Sequence, residues 1–244
     1  MQDIIVKNAN LIYQGSCLFN QLNFCIQAKQ TTCILGPSGV GKTTLMKMIA
    51  GIEKSDAQIS LANQQPLDGL IAYMSQQDSL LPWMTVLENV LLGHYLRGDS
   101  ITSARKRAIA LLKQVGLETS AAAKPVALSG GMRQRAALVR TVIEDRDYIL
   151  LDEPFAALDA VTRYQLQNLT AQLLQDKTVC LITHDPKEAL RLGHHIYVMR
   201  GRPAVFDQVI QPSGKPPRDI ESQQAYHLET RLMQQLIQAQ ETIF

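Results

Sequence analysis

Gly36-Pro37-Ser38-Gly39-Val40-Gly41-Lys42-Thr43 spells G-x-x-x-x-G-K-[ST] at the point where the apolar run Thr32-Cys33-Ile34-Leu35 gives way to a helical pattern over residues 44–51. A strand before it and a helix after it make this stretch a phosphate-binding loop. The glycines let the backbone fold tightly enough that successive N–H groups point at phosphate oxygens, and the helix turns the positive end of its dipole to the same place. Lys42 is positioned to neutralise β and γ phosphates. The Thr43 hydroxyl is a natural ligand for Mg²⁺, a hard cation that takes oxygen donors and shares them with a nucleotide.

Outward from this loop, apolar strand candidates recur at residues 32–35, 70–74, 148–151, 179–183 and 196–199, several separated by helix-like segments. Short apolar runs bounded by turns and alternating with helices predict an α/β fold with a mostly parallel sheet covered on both faces. One interval breaks the alternation. Between Trp83 and Asp145 there is no strand signal; residues 102–115 place Ala108, Leu111, Leu112 and Val115 at helical spacing, and residues 130–143 read as a second helix. A helical subdomain over about residues 83–145, inserted into a domain spanning 1–205, is the expectation. Residues 206–244 form a tail: a Pro/Gly-rich stretch at 212–217, then a predicted helix whose Leu228, Leu232, Leu236 and Ala239 share one face for packing on the body. No internal repeat is present.

At 244 residues, 46% hydrophobic and 19% charged, the chain can bury a sizeable core, and disorder is not indicated. Its net charge of +2 is too small to argue for nucleic acid. The basic clusters Arg105-Lys106-Arg107 and Arg133 to Arg140 read as solvated helix faces. Cys17, Cys25, Cys33 and Cys180 lack C-x-x-C spacing and read as reduced core thiols, which suits the cytosol. No run of some 18 apolar residues occurs, and Met1 to Lys7 lacks the pattern of a secretory leader, so a chain that neither crosses a membrane nor leaves the cell is expected.

Downstream, Tyr148-Ile149-Leu150-Leu151-Asp152-Glu153 is a buried strand ending in two carboxylates. Ligands of parallel sheets bind at the carboxyl ends of strands, which places Asp152 to hold Mg²⁺ through water. Glu153, pointing the other way along the pleat, could orient or deprotonate a water attacking the γ phosphate.

Leu128-Ser129-Gly130-Gly131-Met132-Arg133-Gln134-Arg135 resembles the LSGGQ signature of ATP-binding-cassette (ABC) ATPases, and it lies between the helical insertion and the Asp-Glu strand, as in that family. Physically, Ser129, Gly130 and Gly131 open a helix whose free N–H groups can meet a phosphate; read alone, they also fit a Ser-capped helix with Gly at the entry. The resemblance extends from about Val6 to Arg200. It implies a P-loop NTPase (RecA-like) core with the inserted helices and a small N-terminal antiparallel β region. It also implies ATP bound by Gly36, Pro37, Ser38, Gly39, Val40, Gly41, Lys42, Thr43 and Thr44, with Tyr13 stacking on adenine. Glu153 is the implied base, His184 of Thr183-His184-Asp185 the γ-phosphate contact, and Gln76 the residue that reaches Mg²⁺ beside Thr43 and Asp152. Ala156-Ala157-Leu158-Asp159 is similar to the family's dimer-seam loop. Met132, Ala156 and Lys29-Gln30 depart from the family pattern without removing a catalytic group.

Gln76-Gln77-Asp78-Ser79-Leu80-Leu81-Pro82-Trp83 with Thr85-Val86-Leu87-Glu88-Asn89-Val90 resembles the importer branch for nitrate, taurine and alkanesulfonates, which also serves the hydroxymethylpyrimidine precursor of thiamine; the Gln-Gln-Asp wording leans toward the last. The resemblance implies a head-to-tail dimer in which each ATP lies between one subunit's phosphate loop and the other's Ser129–Gly131 segment. It further implies integral membrane permease partners, an indirect periplasmic or lipid-anchored solute-binding protein, no nucleic acid, and a peripheral position on the cytoplasmic face of the inner membrane. Leu80 to Trp83 are expected to dock on the permease. A soluble P-loop kinase or GTPase is the first alternative, opposed by the signature and by the lack of an Asn-Lys-x-Asp motif. A mechanical ABC ATPase of DNA repair or translation is the second.

Overall fold

The computed structural model describes residues 1–13 and 15–242. The chain opens with β1 (Ile4–Tyr13) and β2 (Ser16–Ile26), then β3 (Thr31–Leu35), α1 (Lys42–Ile49), β4 (Gln58–Leu61) and β5 (Ile71–Met74). Four helices follow: α2 (Val86–Val90), α3 (Leu92–Arg97), α4 (Ile101–Gln114) and α5 (Gly130–Val142). The alternation then resumes with β6 (Tyr148–Asp152), α6 (Ala160–Leu173), β7 (Thr178–Ile182), α7 (Pro186–Leu192), β8 (His195–Arg200) and β9 (Val205–Phe206), and α8 (Gln223–Glu241) closes the described chain.

Two sheets result. β2-β1-β4 is antiparallel and three-stranded, running from Ile4↔Ile26 to Tyr13↔Ser16 along the hairpin. The larger sheet has the order β5-β6-β7-β3-β8-β9 and is parallel except for β9. Its strands alternate between two apolar clusters. Ile149 and Leu151, Val179 and Leu181, and Cys33 and Leu35 face the helices α2 and α4 to α8, whereas Leu150, Cys180, Ile182 and Ile34 face α1 and the antiparallel sheet. A strand buried on both faces has no polar side, which is why these segments read as continuous apolar runs. Each fully buried Leu or Ile contributes about 1.5–3 kcal/mol.

The inserted helices share the first cluster with the sheet, and α5 packs directly on β5. The α2 start is fixed by a capping box: Thr85 Oγ1 accepts from the Glu88 N–H at 3.2 Å, and Glu88 Oε2 accepts from the Thr85 N–H at 2.7 Å. The tail lies against the body, with Leu232 and Ala239 of α8 buried beside α7 and β8. Thiol burial departs from the sequence expectation. Cys33 and Cys180 are core residues, but Cys25 is only partly buried and Cys17 is exposed, because the curled hairpin turns part of β2 to solvent.

Gly36 locks the phosphate loop onto the sheet. Its φ is +152°, and a Cβ there would lie 2.4 Å from the Met199 carbonyl oxygen in β8. Gly36→Ala must shift backbone rather than a side chain, at a cost of about 1–3 kcal/mol. Calorimetry should show a melting temperature lower by roughly 2–10 °C; an unchanged value would mean that the loop does not depend on this contact.

Candidate active site

The loop after β3 ends at Gly41, whose φ of +113° and 3.0 Å approach to the Phe19 ring leave no room for a side chain. α1 then starts with no side-chain cap and no acidic residue in its first turn, so its leading N–H groups are open to an anion. Lys42 Nζ donates to the carbonyls of Gly36 at 2.7 Å and Pro37 at 2.9 Å, and burial lowers its pKa against the pull of Glu153 and Asp152. A cavity of about 390 Å³ lies over this loop, bounded by Tyr13, Ser16, Gly39, Gly41, Lys42, Thr43, Thr44 and Arg202. Val40 instead buries its side chain in the core, Pro37 is also buried, and Ser38 is exposed. Arg202 was not anticipated; its guanidinium donates to the Gly39 carbonyl at 3.1 Å from 163 residues away.

Asp152 closes β6 at 1% exposure, and neither carboxylate oxygen has a hydrogen-bond partner. Burial raises its pKa, with the Glu153 charge adding to the rise; the Thr43 hydroxyl lies beside it without a hydrogen bond to either oxygen. A buried carboxylate left unpaired next to a hydroxyl fits a divalent cation's demand for hard oxygen ligands. The backbone turns sharply at Glu153, which takes a left-handed φ of +49°. Its Oε2 accepts from Gln76 Nε2 at 3.3 Å and lies 3.5 Å from His184 Nδ1. Three residues from the ends of β5, β6 and β7 thus converge on one point.

Ser129, Gly130 and Gly131 stay off the phosphate-loop cavity, although Gly130 shares a cleft with Gln76. The Ser129 hydroxyl caps α5 by accepting from the Met132 N–H at 3.3 Å. Gly130 borders a separate cleft with residues 76–79 and Ala157, and none of the three lines the phosphate-loop cavity. The basic stretch of α5 is also not a solvated face. Arg133 pairs with Asp78 at 2.9 Å, Arg140 donates to the carbonyls of Asp78 and Ser79, and Arg135 donates to the Val115 carbonyl at 2.7 Å. Gln134, buried and unanticipated, donates to the Glu153 carbonyl at 2.9 Å and accepts from the Ala157 N–H at 2.8 Å. Its presence inside a Gly-Gly-x-x-Gln helix start was the available signal.

The ABC transporter family profile matches residues 19–156, more than half of the chain. The chain is an ABC transporter ATPase. It is 39% identical over 234 residues to an ABC transporter ATP-binding protein of Haemophilus influenzae, covering 95% of this chain and 97% of that one. It is 36% identical to the aliphatic sulfonates import ATP-binding protein SsuB 2 of Pseudomonas syringae, covering 93% and 95%, and 38% identical to the taurine import ATP-binding protein TauB of Pelagibacter ubique, covering 83% and 80%. Among solved structures, the dimeric post-hydrolysis state of the ATP-binding cassette MJ0796 with ADP and Pi superimposes with a TM-score of 0.78 at 30% identity, covering 86% of this chain and 99% of that one. Family membership carries ATP binding with it.

The cassette's histidine loop rests on a titratable support. Glu188, in the first turn of α7 and 5% exposed, accepts from Gln167 Nε2 at 3.3 Å, and burial raises its pKa to about 8, with Asp185 adding to the rise. The folded pKa exceeds the ordinary 4.5, so the native state binds the extra proton and stability falls as pH rises between those values. Glu188→Gln should therefore flatten the decline of melting temperature between about pH 5 and 8. An equally steep decline in the variant would assign it to other groups.

Proposed function

We propose that this ABC ATPase binds and hydrolyses ATP as one of a head-to-tail pair of subunits that energise an importer. The observation that carries the reading is the convergence of Glu153, Gln76 and His184 beside an open helix N-terminus and an unpaired Asp152. Lys42 and the N–H groups of Gly39 to Thr44 hold the phosphates, and Tyr13, half exposed at the cavity wall, stacks on adenine. Thr43, Asp152 and Gln76 hold Mg²⁺, which when bound neutralises charge on the phosphate oxygens. Glu153 takes the proton of the attacking water, while His184 contacts the γ phosphate. Ser129, Gly130 and Gly131 meet the ATP of a second copy, a role supported by their separation from their own phosphate loop and by the dimeric form of the MJ0796 cassette.

Two relatives with named solutes are aliphatic sulfonate and taurine import proteins, and they favour a small organic sulfonate over nitrate or the thiamine pyrimidine precursor. No helix among the described residues is long and apolar enough to cross a membrane. The partners are accordingly permease subunits, with a periplasmic or lipid-anchored solute-binding protein beyond them, and the subunit sits peripherally on the cytoplasmic face. The permease contact is Trp83. Asn89 is fully buried and clamps the loop before α2: its Oδ1 accepts from the Leu81 N–H at 2.7 Å, and its Nδ2 donates to the carbonyls of Leu81, Met84 and Thr85. With Leu80 buried, this fixed loop leaves Trp83 68% exposed. A rigidly held, solvent-facing Trp is a suitable anchor for a partner's pocket.

Labelled ATP separates binding from chemistry. Lys42→Ala should weaken binding and abolish hydrolysis, whereas Glu153→Gln should keep binding and lose turnover by at least about 100-fold; near-normal turnover in the Glu153 variant would remove it as the base.

For the permease contact, Trp83→Ser should leave ATP binding and melting temperature unchanged while weakening permease capture in detergent at least tenfold, about 1.4 kcal/mol or more. Unaltered capture would sink the docking role.

A further inference from the structure

The turn that joins β8 to β9 lies against the phosphate loop. Met199↔Phe206 and Arg200↔Val205 close the hairpin below it. Three contacts fix the turn in place: the Ala204 N–H donates to the Leu18 carbonyl at 2.8 Å, Ala204 is itself buried, and Phe206 stacks on Phe24 with ring centroids 4.6 Å apart. The Met199 carbonyl, at the foot of the same hairpin, is the atom against which Gly36 packs. This hairpin therefore touches the phosphate loop at its first residue and β2 at Leu18, in the wall of the nucleotide cavity.

Arg202 occupies the held turn and reaches back to the loop. Its Nη2 donates to the Gly39 carbonyl at 3.1 Å and would lie 3.6 Å from a Cβ placed on Gly39. Among the described residues the side chain makes no other hydrogen bond and has no carboxylate within ion-pair distance, whereas Arg200, two residues earlier, is paired with Asp207. A guanidinium carries its donors in a rigid fork, so bracing one of them on a backbone carbonyl orients the rest. The braced side chain forms part of the cavity wall. Among the described residues no carboxylate lines that cavity, and its two charged residues are Lys42 and Arg202. Lys42 already lies in the field of Glu153 and Asp152. A nucleoside triphosphate stays negatively charged even with one divalent cation bound, so a single lysine leaves part of its charge without a partner.

We infer that Arg202 is a further nucleotide-binding residue, braced on Gly39 and giving its free donors to the polyphosphate of the bound nucleotide. The inference rests on the reading that ATP occupies the phosphate-loop cavity. A charged, bidentate donor suits phosphate oxygens better than it suits the adenine ring or the ribose, whose groups are neutral. The placement is also pre-organised: the turn is tied to β2 and the guanidinium to the loop before any ligand arrives.

Calorimetric titration of the full chain with ATP and ADP tests this. Arg202→Ala should weaken both about tenfold, the loss expected when a charge-assisted hydrogen bond is removed. The melting temperature of the nucleotide-free variant should be unchanged, because the side chain is exposed. Arg202→Lys should recover part of the affinity, since the charge returns without the fork. Arg202→Gln, which keeps a donor for the Gly39 carbonyl but no charge, should lose as much as Arg202→Ala. The gap between wild type and Arg202→Ala should narrow between about 0.1 M and about 1 M salt, as screening shortens from about 10 Å to about 3 Å. Full affinity in Arg202→Gln, or a gap that salt leaves unchanged, would mean that Arg202 only braces the loop and would overturn the phosphate contact. Lys42→Ala, titrated in parallel, separates the two readings. Loss of ATP affinity in that variant with none in Arg202→Ala would keep the nucleotide in the cavity and remove Arg202 from it; full affinity in both variants would refute occupancy of the cavity and the inference together.

Discussion

The arrangement turns on one uncompensated charge. Asp152 sits at the end of a strand buried on both faces, without a hydrogen bond to either oxygen, and its ionised form is penalised by burial. A folded chain keeps such a group only where something offsets the penalty when the site is filled. The sheet order supplies the means. β3 lies between β7 and β8, β7 pairs with β6, and β5 pairs with β6, so the phosphate loop, the two carboxylates, His184 and Gln76 all leave carboxyl ends on one edge. Lys42 supplies one positive charge and the open α1 N-terminus a partial one. Both belong to the same loop, so the sheet, loop and helix stand or fall together.

Around this charge, α5 acts as a brace. Gln134 ties the Glu153 carbonyl to the Ala157 N–H, fixing the turn that aims the Glu153 carboxylate and the start of the segment Ala156 to Asp159. Next to it and six residues on, Arg133 and Arg140 grip Asp78 and Ser79, which follow Gln76 by two and three residues. A displacement of α5 would therefore shift Glu153 and the residue 76–79 loop together. Asn89 continues the chain of contacts to Trp83 by fixing residues 81–85. Polar groups with fixed partners transmit such a displacement better than apolar packing, because breaking them leaves a buried donor or acceptor unpaired.

The local features were legible because each resides in a few adjacent residues. Gly36 to Thr43 specifies its loop through glycine conformations and one lysine, and β6 through β8 are apolar runs that only a doubly covered sheet can bury. The illegible features are those in which distant segments meet. Arg202 reaches Gly39 across 163 residues, and Arg133 reaches Asp78 across 55. Charge-run reasoning consequently misread α5 as solvated, since a helical period shows which residues share a face but not what covers it. The partial exposure of β2 misled in the opposite sense: apolar context suggested buried thiols, while register shifts along the hairpin leave Cys17 in solvent.

A single chain holds two unfinished half-sites. His184 is 65% exposed beside Glu153, and the open N-terminus of α1 borders a cavity lined by Gly39 and Thr44. At the other end, Gly130 and Gly131 leave the start of α5 bare apart from the Ser129 cap, and a Cβ on Gly131 would already press on the Ala157 carbonyl at 3.1 Å. Two helix N-termini on one molecule, each with unengaged N–H groups and each bordering a different cavity, fit the proposed pairing across a two-fold axis. In the proposed pair, closure would remove water from both at once, so the electrostatic strength of Lys42, Asp152 and Glu153 would rise when the second subunit arrives. On that proposal hydrolysis is tied to assembly: Lys42, Asp152 and Glu153 are in place beforehand, and the low-dielectric surroundings come from the partner.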